Sequence, residues 1–590
     1  IDLGFAFLPL PGFSEPVAIV DVPGHEAFVR NMVAGATGID VALLVVAADE
    51  GVMPQTEEHL AILEFLGVRT GVVAITKVDL AAPDWLELVE ADLTERLAAS
   101  PIAWEPAVRF SAVSGAGAED LMRALATAAA RAVERSTDDL FRMPVDRVFS
   151  VAGAGTVVTG TTWSGSVVVG GEVRVLPGDA RSVVRSVEVH GEARAGAEPG
   201  RRTALALRSV EKADLARGAV VVADPAWRES WAVDAIVTLL DSAPRPLTQR
   251  SRVRLHMGTA EILARVTPGA GEIAPGEAGA VRFRLERPLV ARWGDRGVVR
   301  SYSPMHTIGG CVVVDPWPPP RPRRPVELEA RTAADPVARV RALVALEGKR
   351  GVGVADLPIR LGIHPATVDR VVNEVTTLGV LNIEGRLLPQ VVVEASRRRL
   401  EQALEGYHEE HPLEPGMPRE LLRAALDLPD LAEHLEENLA HEGWIVLEGG
   451  TVRLASYQPT LSARQREWSE RIGTALAAAG YQGQSAQELG EHVPPAEAVP
   501  LAEYLVRQGT AARVGRERYY DRAALERLRD EIVEEVGRLG RASPAELRVR
   551  TGLTRKYLIP VLEWLDGAGF TARDGDARRL GPAAGGGGPA

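Results

Sequence analysis

The chain has 590 residues, too many for one hydrophobic core, and it should divide into several domains. A formal net charge of −13 confines any nucleic-acid contact to local patches, and the single cysteine, Cys311, excludes an intramolecular disulfide and agrees with a reducing cytoplasm. No run is long and apolar enough to span a membrane, and residues 3–13 lack the basic lead-in of a signal peptide. Lysine occurs only at Lys77, Lys212, Lys349 and Lys556, so arginine clusters here carry less meaning than usual.

In chain order, the apolar run 17–20 ends in Asp21-Val22-Pro23-Gly24-His25. A β-branched run ending in Asp-x-x-Gly reads as a buried strand that delivers an acid and a turn to the carboxyl edge of an α/β sheet, where nucleotide phosphates bind. Residues 26–36 read as a helix, 41–47 as a strand and 59–65 as a helix. A further strand, 71–75, leads to Thr76-Lys77-Val78-Asp79. A helix over 85–98 precedes a third strand end, 107–110, which carries Ser111-Ala112, and a helix over 118–133 closes the domain. The three strand ends resemble the motifs of GTPases, a resemblance which implies that Asp79 accepts both donors on a guanine edge, that the stem of Lys77 covers the ring and that the Ala112 N–H meets the guanine oxygen. Loss of one charged hydrogen bond there costs about 1.5–3 kcal/mol, roughly tenfold to a hundredfold in affinity.

From Pro144 the texture turns to short strands, such as 147–151, 155–162 and 171–175, separated by glycine turns, which fits a small barrel. A second barrel follows over about 231–314. Residues 317–325, rich in proline and arginine, read as a stiff linker. Beyond them the chain repeats a helical pattern ending in a glycine-turned hairpin about every sixty residues: at Gly379, at Gly443, at Gly509 and at Gly569. Helix-turn-helix plus wing, four times, is the simplest account, and winged helices contact nucleic acid or protein. The last unit is the most basic. Arg548, Arg550, Arg555 and Lys556 lie around its expected recognition helix, Arg573, Arg578 and Arg579 in its wing, and Tyr557 with Tyr519-Tyr520 offers stacking surfaces for unpaired bases.

The three strand ends Asp-x-x-Gly, Thr-Lys-x-Asp and Ser-Ala resemble GTPase motifs, with Thr76 where Asn is usual. His25 after the glycine resembles translation factors, as do residues 49–56 and the segment 146–160. Together with the Ile1-Asp2-Leu3-Gly4 start and Arg555-Lys556-Tyr557, the chain resembles the selenocysteine-specific elongation factors. The resemblance implies a GTP-binding domain of the P-loop type over 1–140 and barrels over 141–229 and 230–316. It also implies a linker over 317–326, winged helices over 327–390, 391–456, 457–525 and 526–580, and a disordered tail over 581–590. It implies that GTP or GDP is bound by Asp21, Gly24, Thr76, Lys77, Asp79, Ser111 and Ala112, with Mg²⁺ held through water by Asp21 and the attacking water positioned by His25. The implied partners of a monomeric, cytoplasmic, non-membrane factor are selenocysteyl-tRNA, the ribosome and an mRNA selenocysteine-insertion hairpin.

A selenol is more acidic than a thiol, whose pKa is about 8.5, so an anionic selenocysteine calls for cations. By motif position Asp146, Arg147 and Arg217 are assigned to that pocket, with Asp146 orienting an arginine; an ion pair between Asp146 and Arg147 that packs domains is the other reading.

No Gly-x-x-x-x-Gly-Lys-[Ser/Thr] occurs, although a GTPase needs that motif to hold phosphates. The expectation is an N-terminally truncated chain, missing the central first strand, unable to hydrolyse GTP and weakly stable in its first domain. The strands ending at Asp21 and near Val46 should then pair wrongly with each other or expose their edges. Two rival functions stay open: a general aminoacyl-tRNA carrier, and a winged-helix regulator whose GTPase-like half is only a scaffold.

Overall fold

The computed structural model describes residues 3–25, 29–151, 155–212, 215–319, 330–426, 429–516 and 518–585. The chain forms two compact units, Ile1–Val392 and Val393–Ala590.

In the first unit, β3 (Val41–Ala47) and β4 (Thr70–Thr76) pair in parallel, and β4 also pairs with β5 (Ala103–Trp104) and β6 (Val108–Arg109). β4 is buried along almost its whole length, which is why it reads as an unbroken apolar run and not as an alternation. The helices α2 (Pro54–Leu66), α3 (Pro83–Ala98) and α4 (Ala118–Ala130) connect or follow these strands. Pro54 opens α2, where its missing N–H costs nothing, and Gly67 closes it at φ 78°.

The strand ending at Asp21 corrects one expectation. β2 (Val17–Asp21) pairs antiparallel with β1 (Gly4–Leu8) in a separate two-stranded sheet and is only partly buried. Among the described residues β3 is hydrogen-bonded on one side only, by β4, and its alternate face leaves Leu43 38% and Val45 56% exposed. Of the two expected consequences, mispairing with β3 is absent among the described residues and an open edge is present. The helix α1 (Val29–Ala36) packs on β2 through Gly35, where a Cβ would fall 2.8 Å from Val22; the expected first turn, 26–28, lies outside the described residues.

Two closed barrels follow. The first joins β7 (Arg142–Val151), β8 (Gly155–Thr161), Arg202–Leu207, Ala180–Val189, Glu172–Leu176 and Val220–Val222 around Met143, Val145, Val158, Val173, Leu205 and Val221. The second is a six-stranded ring from Ser230–Leu239 to Thr307–Asp315, filled by residues such as Val233, Leu255, Ile262 and Phe283. Trp317, at the head of the expected linker, packs against Trp227 and Val290, and its backbone N–H donates to Asp315. The linker's remainder from 320 lies outside the described residues.

The first winged helix, with helices Pro336–Glu347, Leu357–Arg360 and Val368–Thr376 and a three-stranded wing, belongs to the first unit. The helix Gln390–Glu410 leads out of it. The second unit holds the other three. Two have three-stranded wings, and the last has the pair Thr571–Asp574 and Ala577–Leu580, joined by a bridge from Arg578 to Ala542. Pro582–Gly585, expected to be disordered, form a short 3-10 turn; residues 586–590 lie outside the described residues.

Candidate functional site

Thr76, Lys77, Asp79, Ser111 and Ala112 converge where β4 and β6 end. The buried Ser111 hydroxyl donates to Asp79 Oδ1 at 2.6 Å and accepts the Ser114 N–H at 3.2 Å, so one serine aims the carboxylate and ties down the loop that follows. Gly117, which closes that loop at φ 76°, tolerates no side chain, because a Cβ would fall 1.9 Å from the Arg109 carbonyl oxygen. The Thr76 hydroxyl donates to the Val46 carbonyl at 3.4 Å and the Ala48 N–H donates to the Thr76 carbonyl at 2.8 Å, so the end of β4 is tied to the end of β3. Lys77 sits in the left-handed region at φ 54°, and its ammonium lies 3.0 Å from Asp49 and 3.1 Å from Glu50. Those two carboxylates hold the Lys77 pKa above its ordinary value. Asp49 and Glu50 were missed as site residues, although their loop was legible as a translation-factor motif.

Asp21, Gly24 and His25 are placed apart from that sheet. Asp21 lies opposite Gly4 at the exposed end of β2, Gly24 comes within 3.6 Å of the His59 ring for an added Cβ, and His25 is exposed. Burial lowers the His59 pKa, against the opposing pull of Glu58.

In the first barrel the register between β7 and β8 slips between Val145 and Arg147, a bulge that re-aims Asp146. Its carboxylate, 9% exposed, accepts the Thr159 hydroxyl at 2.8 Å and both terminal nitrogens of Arg202, one at 2.9 Å. Asp146 therefore orients an arginine, and that arginine is Arg202, which sequence reasoning missed. Arg147 instead donates to the Leu3 carbonyl at 2.8 Å. The Phe5 ring lies under both cations, 4.0 Å from the Arg202 and 5.4 Å from the Arg147 guanidinium carbon. Arg217 reaches to Asn31 of α1 at 2.5 Å.

In the last winged helix, Arg548, Arg550, Arg555, Lys556, Arg573 and Arg579 are exposed. Arg550 has Glu534 at 3.1 Å, and Arg555 and Lys556 open the helix Arg555–Gly567. Tyr557 is half-buried between Arg518, 4.8 Å from its centroid, and Lys556 at 5.5 Å. Three expectations from the sequence are overturned. Arg578 is 5% exposed and paired with Asp566 at 2.7 Å, so it braces the wing from inside. Tyr519 and Tyr520 are core residues, buried by the strand that carries them, and neither presents a stacking face.

A parallel-sheet domain with a guanine-type loop pair, two closed barrels and serial winged helices defines a GTP-binding protein of translation-factor architecture. Comparison sharpens this. Residues 9–131 match the elongation factor Tu GTP-binding domain, 234–320 the selenocysteine-specific elongation factor β-barrel domain, and 402–454 and 535–580 two winged-helix domains of elongation factor SelB. The chain is 36% identical to the selenocysteine-specific elongation factor of Desulfomicrobium baculatum over 98% of this chain and 93% of that one. Identity to that of Escherichia coli strain K12 is 31% over 98% and 92%. The chain belongs to the selenocysteine-specific elongation factor family. A crystal structure of bacterial selenocysteine-specific elongation factor EF-Sec shares the fold, with a TM-score of 0.69 at 23% identity over 98% of this chain and 93% of that one. Among the described residues no helix is long and apolar enough to cross a membrane.

Proposed function

We propose that this protein carries selenocysteyl-tRNA to the ribosome in a GTP-dependent manner, while its last winged helix grips an mRNA hairpin beside the codon being read. The observation that carries this is the pairing, in one chain, of a guanine-type site around Asp79 with exposed cations on the last winged helix. In this reading Asp79 and Ala112 select guanine, Asp21 holds Mg²⁺ through water, and His25 positions the attacking water. The magnesium site is argued from donor chemistry alone: an exposed carboxylate at a strand end suits a water-mediated hard cation.

Arg202 and Arg147 would face the selenolate, with Asp146 fixing the first of them. The Asp146 carboxylate leaves Arg202 oriented before the ligand arrives. The domain divisions at 140, 229 and 316, a cytoplasmic location and a monomeric state belong to the same proposal. So does the inability of the sequence as given to turn over GTP, since it contains no phosphate-cradling Gly-x-x-x-x-Gly-Lys motif.

The test is binding of a labelled selenocysteine-insertion hairpin to the full chain, against an RNA with a scrambled loop, across a salt titration. The true hairpin should win, and Arg555→Glu with Lys556→Glu should weaken it by tenfold or more and flatten the salt dependence by about two phosphate contacts. Equal affinity for both RNAs would turn the argument toward the regulator.

A further inference from the structure

Where the GTP-binding domain and the two barrels meet, they enclose a cavity of about 250 Å³. Thr37, just after α1, and Leu66, at the end of α2, belong to the GTP-binding domain; Arg142 and Trp163 come from the first barrel, Asp295 and Arg296 from the second. Arg135, in the segment between α4 and β7, completes the wall.

This wall carries more positive charge than its acids answer. Arg135 lies 2.8 Å from Asp40, and the two terminal nitrogens of Arg142 donate to Asp295 at 2.7 and 2.5 Å, which closes both pairs. Arg296 has no carboxylate partner among the described residues, and its guanidinium donates only to the Phe65 carbonyl at 3.5 Å, the far limit for such a bond. Arg69 has no carboxylate partner among the described residues either. Burial, and then the nearby Arg69 cation, hold the Arg296 pKa below its ordinary value. The Arg296 side chain is fixed in place by Gly67, where a Cβ would fall 2.6 Å from its Nε. The end of α2 supplies part of the missing charge, but a helix carboxyl terminus offers roughly half an elementary charge against two cations. One buried donor is unanswered as well: Arg142 is 9% exposed, and its Nε has no hydrogen-bond partner among the described residues.

The nucleotide is not the missing partner. Arg69 immediately precedes β4 and Asp79 follows its far end, and at about 3.3 Å per residue the strand sets them roughly 20 Å apart. The cavity therefore lies at the amino edge of the parallel strands, opposite the carboxyl edge that carries the guanine-type loops.

We infer that this junction is a second ligand site, which takes a small free dianion, inorganic phosphate or a compact phosphate monoester, on Arg296 and Arg69. Arginine forks match the oxygens of a phosphate, and one dianion neutralises both cations. Room beside Trp163 remains for the body of a monoester. Since three domains build the wall, an occupied site stabilises the arrangement in which they are packed together.

Titration calorimetry of the full chain with inorganic phosphate, in chloride buffer of constant ionic strength, tests this. Arg296→Gln should weaken binding by about tenfold or more, as for one lost charged hydrogen bond, and Arg69→Gln by about threefold. Bound phosphate should also slow hydrogen exchange at residues 66–69 and 294–296 and leave 76–79 unchanged. Arg69 is exposed, so Arg69→Gln and the exchange pattern decide the matter if Arg296→Gln fails to fold. Ribose 5-phosphate separates the two sources: binding tighter than phosphate, with the same loss in the variants, assigns a monoester, and weaker binding assigns phosphate itself. No binding, affinity that both variants leave unchanged, or protection confined to 76–79 would overturn the inference.

Discussion

The first and last winged helices share a fold and use arginine in opposite ways. In the first, Arg331, Arg339 and Arg360 are buried, held by carboxylates, carbonyls and an indole of the same chain. In the last, Arg548, Arg555, Arg573 and Arg579 face solvent, and only Arg578 is internal. A helix-turn-helix with a wing thus says nothing of its ligand until the placement of its charges is known.

The largest effect that can break this contrast is Asp315→Ala. It removes the buried carboxylate that Arg331 and Arg360 share, leaving Arg360 to Glu347 and Arg331 to Asp234 at 3.8 Å, and should cost about 3–5 kcal/mol in denaturant unfolding, with hairpin affinity unchanged in the folded fraction. Arg578→Ala should behave as a smaller version of that change, losing about 1–3 kcal/mol because Asp566 is left without its cation. A clear loss of RNA affinity without loss of stability in Arg578→Ala would move it back among the RNA contacts.

Acid sharpens the contrast more gently. Burial would raise the Asp315 pKa, but Arg360 and Arg331 outweigh it and hold the group below its ordinary value. A depressed folded pKa means that its contribution is complete above the unfolded value of about 3.9 and drains as pH falls through the folded one. Exchange in the first winged helix should therefore rise below about pH 4, and Asp315→Asn should abolish that part of the dependence.

Much of this was legible in sequence. The parallel strands, the helices between them, both barrels and the fourfold winged repeat follow from periodicity and turn residues, because those signals are local. What was not legible depended on register or on distant partners. Arg202 reaches Asp146 only because the strand Arg202–Leu207 pairs with β8 and a bulge turns the acid toward it. Tyr519 and Tyr520 look like surface aromatics beside a basic segment, yet adjacent strand residues both became buried because the strand is covered on two faces. β2 was read as a member of the parallel sheet because its residues suit either setting; its actual partner is β1.

The core under the last winged helix has one further consequence. It is built jointly: Ala512, Val514 and Tyr520 from the third winged helix share it with Leu547, Leu558 and Val561 from the fourth, while Tyr481 donates to Glu531 at 2.7 Å across them. Two domains with a common interior have little internal freedom to surrender when a ligand arrives. For RNA capture the entropic toll then falls almost wholly on the nucleic acid, so loop flexibility in the hairpin, more than any change in the protein, should govern how tightly different messages are held.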